Sequence, residues 1–321
     1  MFESTFTKKG LSLDRLRRFC EVAQAGSIVQ AQESNRRVQS SYSRDIMALE
    51  NYFGFRLFGR ETGHSRSGQR MNALTPQGRA LLAMATGIFN RIDDFRDFSE
   101  TPKRIRLGGG ETVMHWVVGT HLSAITGAMR NTTVEIRNHN SQEESLAALH
   151  DGCLDYVIVE ESATATVPFR QRAHSLGTLT FSLFAHPDSL GRSRRHAQAR
   201  LLGQIPWIAL SDARHATTEA IADMEKAGVT VHLAATLTNF RQATTALRGR
   251  RLAALFPTVA RADMARMGFQ PLDVPELQHL SVPISLLYNE EQQTMYPYLA
   301  ATAETLVRVM VPLDGGGSLK A

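Results

Sequence analysis

The chain has 321 residues, of which 43% are hydrophobic and 21% charged, and its formal net charge is +5. That length supports two or three domains with sizeable cores. No run approaches the roughly eighteen apolar residues of a membrane helix, and MFESTFTKKG has no signal-peptide core, so a cytoplasmic protein without a membrane partner is expected. Two cysteines, Cys20 and Cys153, each lie inside an apolar helical pattern; this excludes a disulfide scaffold and leaves buried thiols as the expectation.

Residues 13–60 read as helix, tight turn, second helix, third helix and a basic hairpin-like exit. In LDRLRRFCEVAQAGS, Leu13, Leu16, Phe19, Cys20 and Ala23 recur at helical spacing, with Arg15, Arg17 and Arg18 on the polar side. Gly26 can end that helix in a left-handed conformation, and Ser27 can cap the short helix SIVQAQES by accepting a backbone N–H. A third helix begins near Val38. Tyr42, Ile46, Leu49 and Phe53 form its buried stripe, which leaves Gln39, Ser40, Ser43 and Arg44 exposed near its start. Small polar and amide side chains plus an arginine at the start of an exposed helix suit base-edge and phosphate contacts in a major groove.

Three short amphipathic helices also occur in all-α domains with no such role, and charge separates the two readings. Through residue 79 there are thirteen Lys and Arg against seven Asp and Glu, so the positive excess of the chain lies in this quarter. Arg60, Arg66 and Arg70, in and before ETGHSRSGQRMNALT, are candidates for phosphate or minor-groove contact.

Thr75 can cap a helix whose first residue is Pro76, where a missing N–H costs nothing. Along it Leu81, Ala85, Ile88, Ile92 and Phe95 alternate spacings of four and three, and Leu82 and Phe89 widen the stripe. The pattern fits a seam buried by an identical helix, which would give a homodimer with two reading helices facing two half-sites. A helix packed only on its own domain is the other reading.

After Ser99-Glu100-Thr101-Pro102 the pattern changes. KRIRLGG, TTVEIRNHN, LDYVIVEES, TLTFSLFAHP, IPWIALS, VTVHLAA, RLAALFP and SVPISLLYN read as strands, separated by helical stretches such as ETVMHWVVGTHLSAITGAM, QEESLAALHDG, ATTEAIADMEKAG, NFRQATTALRGR and TVARADMARMG. Such alternation predicts parallel sheets flanked by helices, hence an α/β fold class for the chain overall. GRSRRHAQAR at 191–200 reads as a solvated basic loop, and the tail at 312–321, after a last helix near Met295–Val311, as frayed.

The stretches LRRFCEVAQAGSIVQAQE, QSSYSRDIMALENYFGFRLFGR and LTPQGRALL together resemble the LysR-type transcriptional regulators in motif order and spacing. The specific motifs lie in residues 13–82, while the layout matches over nearly the whole chain. The chain departs from the family pattern at Gln32, where a second alanine is usual, at Asn35, where an apolar residue is usual, and at Ser40, often Pro. The resemblance implies a winged helix-turn-helix at 11–74, a dimerising linker helix at 75–100 and a two-subdomain effector-binding domain at 103–311, similar to periplasmic binding proteins. Subdomain I would comprise about 103–160 and 288–311, and subdomain II about 161–287.

It further implies a dyad-related DNA operator, a small-molecule effector in the cleft, self-association into a homodimer or homotetramer, and RNA polymerase as a partner, with no cofactor or metal. Ser27 joins the candidate DNA-contacting residues. Helix N-termini and strand ends converge on such a cleft and offer N–H donors. On this chain they carry Glu111, Thr112, Asn140, Ser141, Ser211, Asp212 and Asn239, the candidate ligand contacts; each is equally a cap or turn residue type. The charge of Glu111 disfavours an anionic effector close by.

An enzyme is the rival class: a sensor or catalyst of binding-protein-like fold whose N-terminal helices serve assembly only. Gly108–Gly110 sits between strand and helix but lacks the spacing of a dinucleotide loop and the Lys-Ser/Thr of a P-loop. The eleven histidines are scattered: His139, His150 and Asp151 have no metal-ligand spacing with a cysteine pair, and no G-x-S-x-G elbow is present. A non-enzymatic regulator is the expectation.

Overall fold

The computed structural model describes residues 9–28, 30–31, 39–59, 73–96, 102–161, 169–189, 202–247 and 251–311. They form two compact units, one of residues 1–97 with the loop Asp151–Cys153, the other of the remaining chain. The 191–200 segment, the 312–321 tail, and Gln32 and Asn35 lie outside the described residues.

In the first unit, helix α1 (Leu13–Ala25) starts at Ser12, whose hydroxyl accepts from Arg15 N, and ends at Gly26 with φ of 75°. Leu16, Phe19 and Cys20 are buried as the spacing predicts, but Leu13 is 53% exposed and Val22 is fully buried. Leu13 is the first helical residue and lies at the edge of the core; Val22 lies one turn from Phe19 and packs with Ala31, Tyr42 and Ile46. Ser27 Oγ accepts from Gln30 N, and the described residues that follow, Ile28, Gln30 and Ala31, are helical. Helix α2 spans Gln39–Phe53. Helix α3 spans Pro76–Arg96, capped by Thr75, whose hydroxyl accepts from Gly78 N at 2.9 Å. Gly78 is required there, because a Cβ would meet the Leu57 carbonyl oxygen at 2.1 Å.

The second unit contains β1 (Arg104–Gly110), β2 (Thr133–His139), β3 (Tyr156–Glu160), β4 (Gln171–Ala185), β5 (Trp207–Leu210), β6 (Leu233–Leu237), β7 (Ala253–Pro257), β8 (Gln270–Pro271) and β9 (Ser281–Asn289). Their order is β2-β1-β3-β9-β4-β7-β5-β6, with β8 on β4. Helix α4 is α-helical over Glu111–Val113 and Gly119–Ala128 and π-helical over Met114–Val118. It is followed by α5 (Gln142–His150), α6 (Arg214–Lys226), α7 (Phe240–Leu247), α8 (Arg261–Arg266) and α9 (Leu299–Met310).

The pairs β1–β2, β1–β3, β5–β6 and β5–β7 are parallel, as alternation predicts. Strands β4 and β9 are not. They run antiparallel to each other, and β9 pairs with β3 while β4 pairs with β7. One lobe is thus built on β1–β3 and the other on β5–β7, joined by two long crossing strands. Strand β4 starts at Gln171, seven residues before TLTFSLFAHP; its first part is half-exposed and polar, and pairing with β9 rather than burial makes it a strand. Strand β6 lies at Leu233–Leu237, later than VTVHLAA, because it follows the loop that leaves α6 at Gly228 with φ of 76°.

Candidate functional site

Helix α2 has two contrasting faces. Tyr42, Ile46 and Leu49 are buried, and Phe53 is half-buried. Ser43, Arg44, Met47 and Asn51 are exposed, and at 100° per residue they fall within one side of the helix. Met47, 57% exposed, was not among the residues singled out from sequence; its spacing of four from Ser43 is the signal that marks it. Gln39 and Ser40 open the helix backbone, and their side chains lie outside the described ones. Arg60, Arg66 and Arg70 lie outside the described residues.

Ser27 requires a correction. It is 6% exposed and its hydroxyl is engaged at the following helix, so it offers a cap and not a surface for DNA. The basic excess also looks different in three dimensions. Arg15 and Arg18 both bind Asp45 on α2, Arg17 binds Asp14 and Glu21 at 2.5 and 2.9 Å, and Glu21 accepts from the Tyr42 hydroxyl at 2.6 Å. Three of the counted arginines therefore hold α1 against α2 and themselves.

The stripe on α3 divides. Leu81 and Ala85 are buried with Leu16, Phe19, Leu49 and Leu57 in the chain's own core, and Ile88 packs at its edge. That corrects the expectation that they line an intermolecular seam, since a side chain packed against α1 has no surface left for a partner. Ile92 and Phe95 are 41% and 67% exposed, and Met84, on the same side, is 42% exposed.

In the second unit the cleft between the lobes is crossed by direct bonds. Thr112, at the start of α4, donates from its N–H to Asp212 Oδ2 at 2.7 Å and from its hydroxyl to Oδ1 at 3.0 Å. Gly110 admits that carboxylate: a Cβ there would meet Asp212 Oδ2 at 2.5 Å. Glu111 accepts from Phe240 N at 3.2 Å and from Asn138 Nδ2 at 2.6 Å. Enclosure removes water from the Asp212 carboxyl and pushes it above the usual carboxylate value, against the Thr112 bonds that favour its charged form. A second contact lies along the π-helical turn, a feature frequent at functional sites. Trp116 Nε1 donates to Asp263 at 2.9 Å, and its ring meets Phe240 edge-on with centroids 5.0 Å apart.

Of the candidate ligand contacts, Asn140, Ser141 and Asn239 are engaged at helix starts. Ser141 Oγ accepts from Glu144 N, Glu144 reaches back to Asn140 N, and Asn239 accepts from Gln242 N. These are capping arrangements. Ser141 and Ser211 also line a polar cavity of about 320 Å³, together with Glu143, Glu160, Asp212 and Arg214. A smaller apolar hollow of about 30 Å³, bordered by Gly110, Ile158 and Phe181, adjoins it through Gln142, Glu160 and Asp212. Asp212, a candidate from its place with Ser211 at the end of β5, is bound across the cleft by Thr112.

Family models match in two blocks. The bacterial regulatory helix-turn-helix of the lysR family covers residues 13–79, and the LysR substrate binding domain covers residues 99–310. The chain belongs to the LysR family. It is a DNA-binding transcriptional regulator with a helix-turn-helix and an effector-binding domain. Among curated relatives, a "probable hydrogen peroxide-inducible genes activator" of Mycobacterium xenopi is 30% identical over 169 residues, covering 49% of this chain and 84% of that protein. The crystal structure of CbnR, a LysR family regulator, aligns over 94% of this chain and 100% of that one at 18% identity, with a TM-score of 0.66. ArgP from Mycobacterium tuberculosis aligns over 94% and 98% at 19% identity, with a TM-score of 0.59. At these identities the solved structures establish the fold alone. Among the described residues no helix is long and apolar enough to cross a membrane.

Proposed function

We propose that this LysR-family member binds a dyad-related operator as a homodimer or homotetramer, with α2 of each protomer in a major groove. Ser43, Arg44 and Met47 face the bases, Gln39 and Ser40 lead the helix in, and Arg60, Arg66 and Arg70 grip phosphates or the minor groove. The observation that carries the reading is the exposed side of α2 set against its buried Tyr42–Ile46–Leu49 side. An arginine hydrogen-bonds guanine or phosphate, and an apolar methionine suits a thymine methyl. Self-association uses the exposed Met84, midway along α3, with Ile92 and Phe95 near its end. Domain limits at 11–74, 75–100 and 103–311 follow from the same reading. The effector sits between the lobes, among residues that include Ser141 and Ser211, and changes how protomers present α2 to successive half-sites. RNA polymerase is the downstream partner, and no catalytic step or cofactor is part of the reading.

Thiol chemistry is no part of it either, although the curated relative is named for peroxide induction. Both cysteines are buried, and burial pushes the Cys20 thiol up to about 11, so it stays protonated and unreactive near neutrality. Footprinting of the full-length protein on its own upstream DNA at two salt concentrations tests the proposal. A protected dyad that survives the higher salt supports it; uniform binding that collapses with salt rejects it.

A further inference from the structure

Helix α4 of one lobe is met by a residue that follows each of three strands of the other. Asp212 follows β5, Phe240 follows β6 and Asp263 lies beyond β7. Asp212 accepts the N–H and the hydroxyl of Thr112, the Phe240 N–H donates to Glu111, and Asp263 accepts from Trp116 Nε1. The partners on α4 all lie within residues 111–116. The chain itself thus supplies the bridging bonds by which a ligand shifts a two-lobed cleft toward its closed form.

Of these contacts, the one at Asp212 is the most closely fitted. Two donors of Thr112 converge on one carboxylate carried by the opposite lobe. The backbone of α4 leaves room for it: a Cβ at Gly110 would stand 2.5 Å from Asp212 Oδ2 and 2.7 Å from its Cβ. The hollow that Gly110, Thr112 and Asp212 border measures about 30 Å³, room on the order of one or two waters and none for an effector. Because the carboxylate is tethered, its effective concentration at Thr112 is set by the fold and not by any solute.

Resting on the reading of the cleft as the effector site, we infer that Asp212 is an internal ligand of that cleft: its carboxylate holds the lobes together at Thr112 when no effector is bound, and it excludes a free carboxylate from that position. Asp212 is then a specificity-determining residue. An effector engages the cleft elsewhere, on the Ser141–Ser211 side, and acts on lobes that are already closed. Removing the Asp212 carboxylate turns a cleft that ignores small carboxylates into one that closes on them.

The test uses the full-length protein, its Asp212→Ala variant and sodium formate, with sodium chloride at equal ionic strength as the control. Closure is read by acrylamide quenching of the two tryptophans, Trp116 and Trp207. Trp116 is 3% exposed against Phe240 of the other lobe and loses that cover when the lobes part, whereas Trp207 stays inside its own lobe. In the parent, formate is expected to change neither quenching nor Tm. In Asp212→Ala, quenching should rise, and formate should reverse the rise saturably while raising Tm. Adding Thr112→Val should weaken that rescue by ~10-fold or more, the weight of a hydrogen bond to a charged group. Should Asp212→Ala not fold, Thr112→Val in the parent frees one carboxylate oxygen and should show a smaller rise in quenching. Quenching that is unchanged in these variants overturns the proposal. So does an Asp212→Ala protein that formate does not stabilise, or a parent that formate stabilises through Thr112; the cleft remains the effector site in each case. An Asp212→Ala protein that opens and accepts formate yet keeps the parent's DNA footprint supports the internal ligand and overturns instead the proposed coupling of the cleft to α2.

Discussion

Thr112 holds Asp212 twice, through its backbone N–H at 2.7 Å and its hydroxyl at 3.0 Å, and so joins the β1–β3 lobe to the β5–β7 lobe at a single carboxylate. A hydrogen bond to a charged acceptor contributes about 1.5–3 kcal/mol, and a partner left enclosed without it costs a similar amount. Thr112→Val keeps the shape and the N–H but removes the hydroxyl donor; Asp212→Ala removes both bonds. We expect each to destabilise the protein by about 1–2 kcal/mol in denaturant unfolding. The double variant should lose clearly less than the sum, since the two groups act on each other. Additive losses would mean that the bond does not join the lobes in solution.

The same carboxyl has a pH signature. Its folded-state value is raised, chiefly by loss of water and additionally by the nearby Glu111 charge, with the Thr112 bonds opposing. A raised carboxyl contributes stability that is present below its unfolded value and is lost as pH rises through the folded one. Asp212→Asn has no proton to lose. Its Tm relative to the parent should therefore move upward as pH is raised from below the ordinary carboxylate range to neutrality. A difference that stays flat, or moves downward, would show that the Thr112 bonds outweigh the desolvation.

Periodicity revealed what burial on one face dictates, and it missed what pairing across the chain dictates. Tyr42, Ile46 and Leu49 were legible because a core helix repeats every three to four residues. Gln171–Leu176 was not, because those residues form a strand through hydrogen bonds to β9 and carry no alternation of their own. The Gly108–Gly110 triplet matches no phosphate-binding pattern, and its sequence does not say why three glycines stand there; each answers a close approach: Leu154 at Gly108, Met114 and Val113 at Gly109, and Asp212 at Gly110. Asp212 itself lies 100 residues from Thr112, and nothing local in the sequence announces that meeting. Arg15 and Arg18 add to the basic excess of the sequence, but Asp45, on another helix, holds them.

The divided stripe of α3 separates two properties that one seam would have joined. Leu81 is 5% exposed inside the first unit's core, so Leu81→Ala opens a cavity there, with an expected loss of about 2–5 kcal/mol in stability. Phe95 is 67% exposed, so Phe95→Asp leaves that core intact. In the self-association we propose, it should weaken the assembly by ~10-fold or more by placing a charge in the contact. Ile88 touches the core's edge and tests both at once, which makes it the poorer probe. Sedimentation showing unchanged assembly for Phe95→Asp would move the contact elsewhere.

Arg44 and Met47 give the reading helix two different chemistries to lose. Both side chains are exposed, so neither substitution should unfold the unit, and circular dichroism checks this. Arg44→Ala removes a donor for guanine or phosphate, and we expect specific affinity to fall by about 1–3 kcal/mol while dimerisation is retained. If Arg44 meets phosphate, the loss is uniform across sequences and the salt slope becomes shallower; if it meets a base, the loss is confined to the specific site. Met47→Ala removes an apolar contact and leaves the salt slope unchanged, so its effect should appear as relaxed discrimination at one base pair. Competition binding of both variants at matched salt, on specific and scrambled DNA, reads these outcomes separately. Unchanged affinity in both variants would show that this side of α2 does not face the DNA.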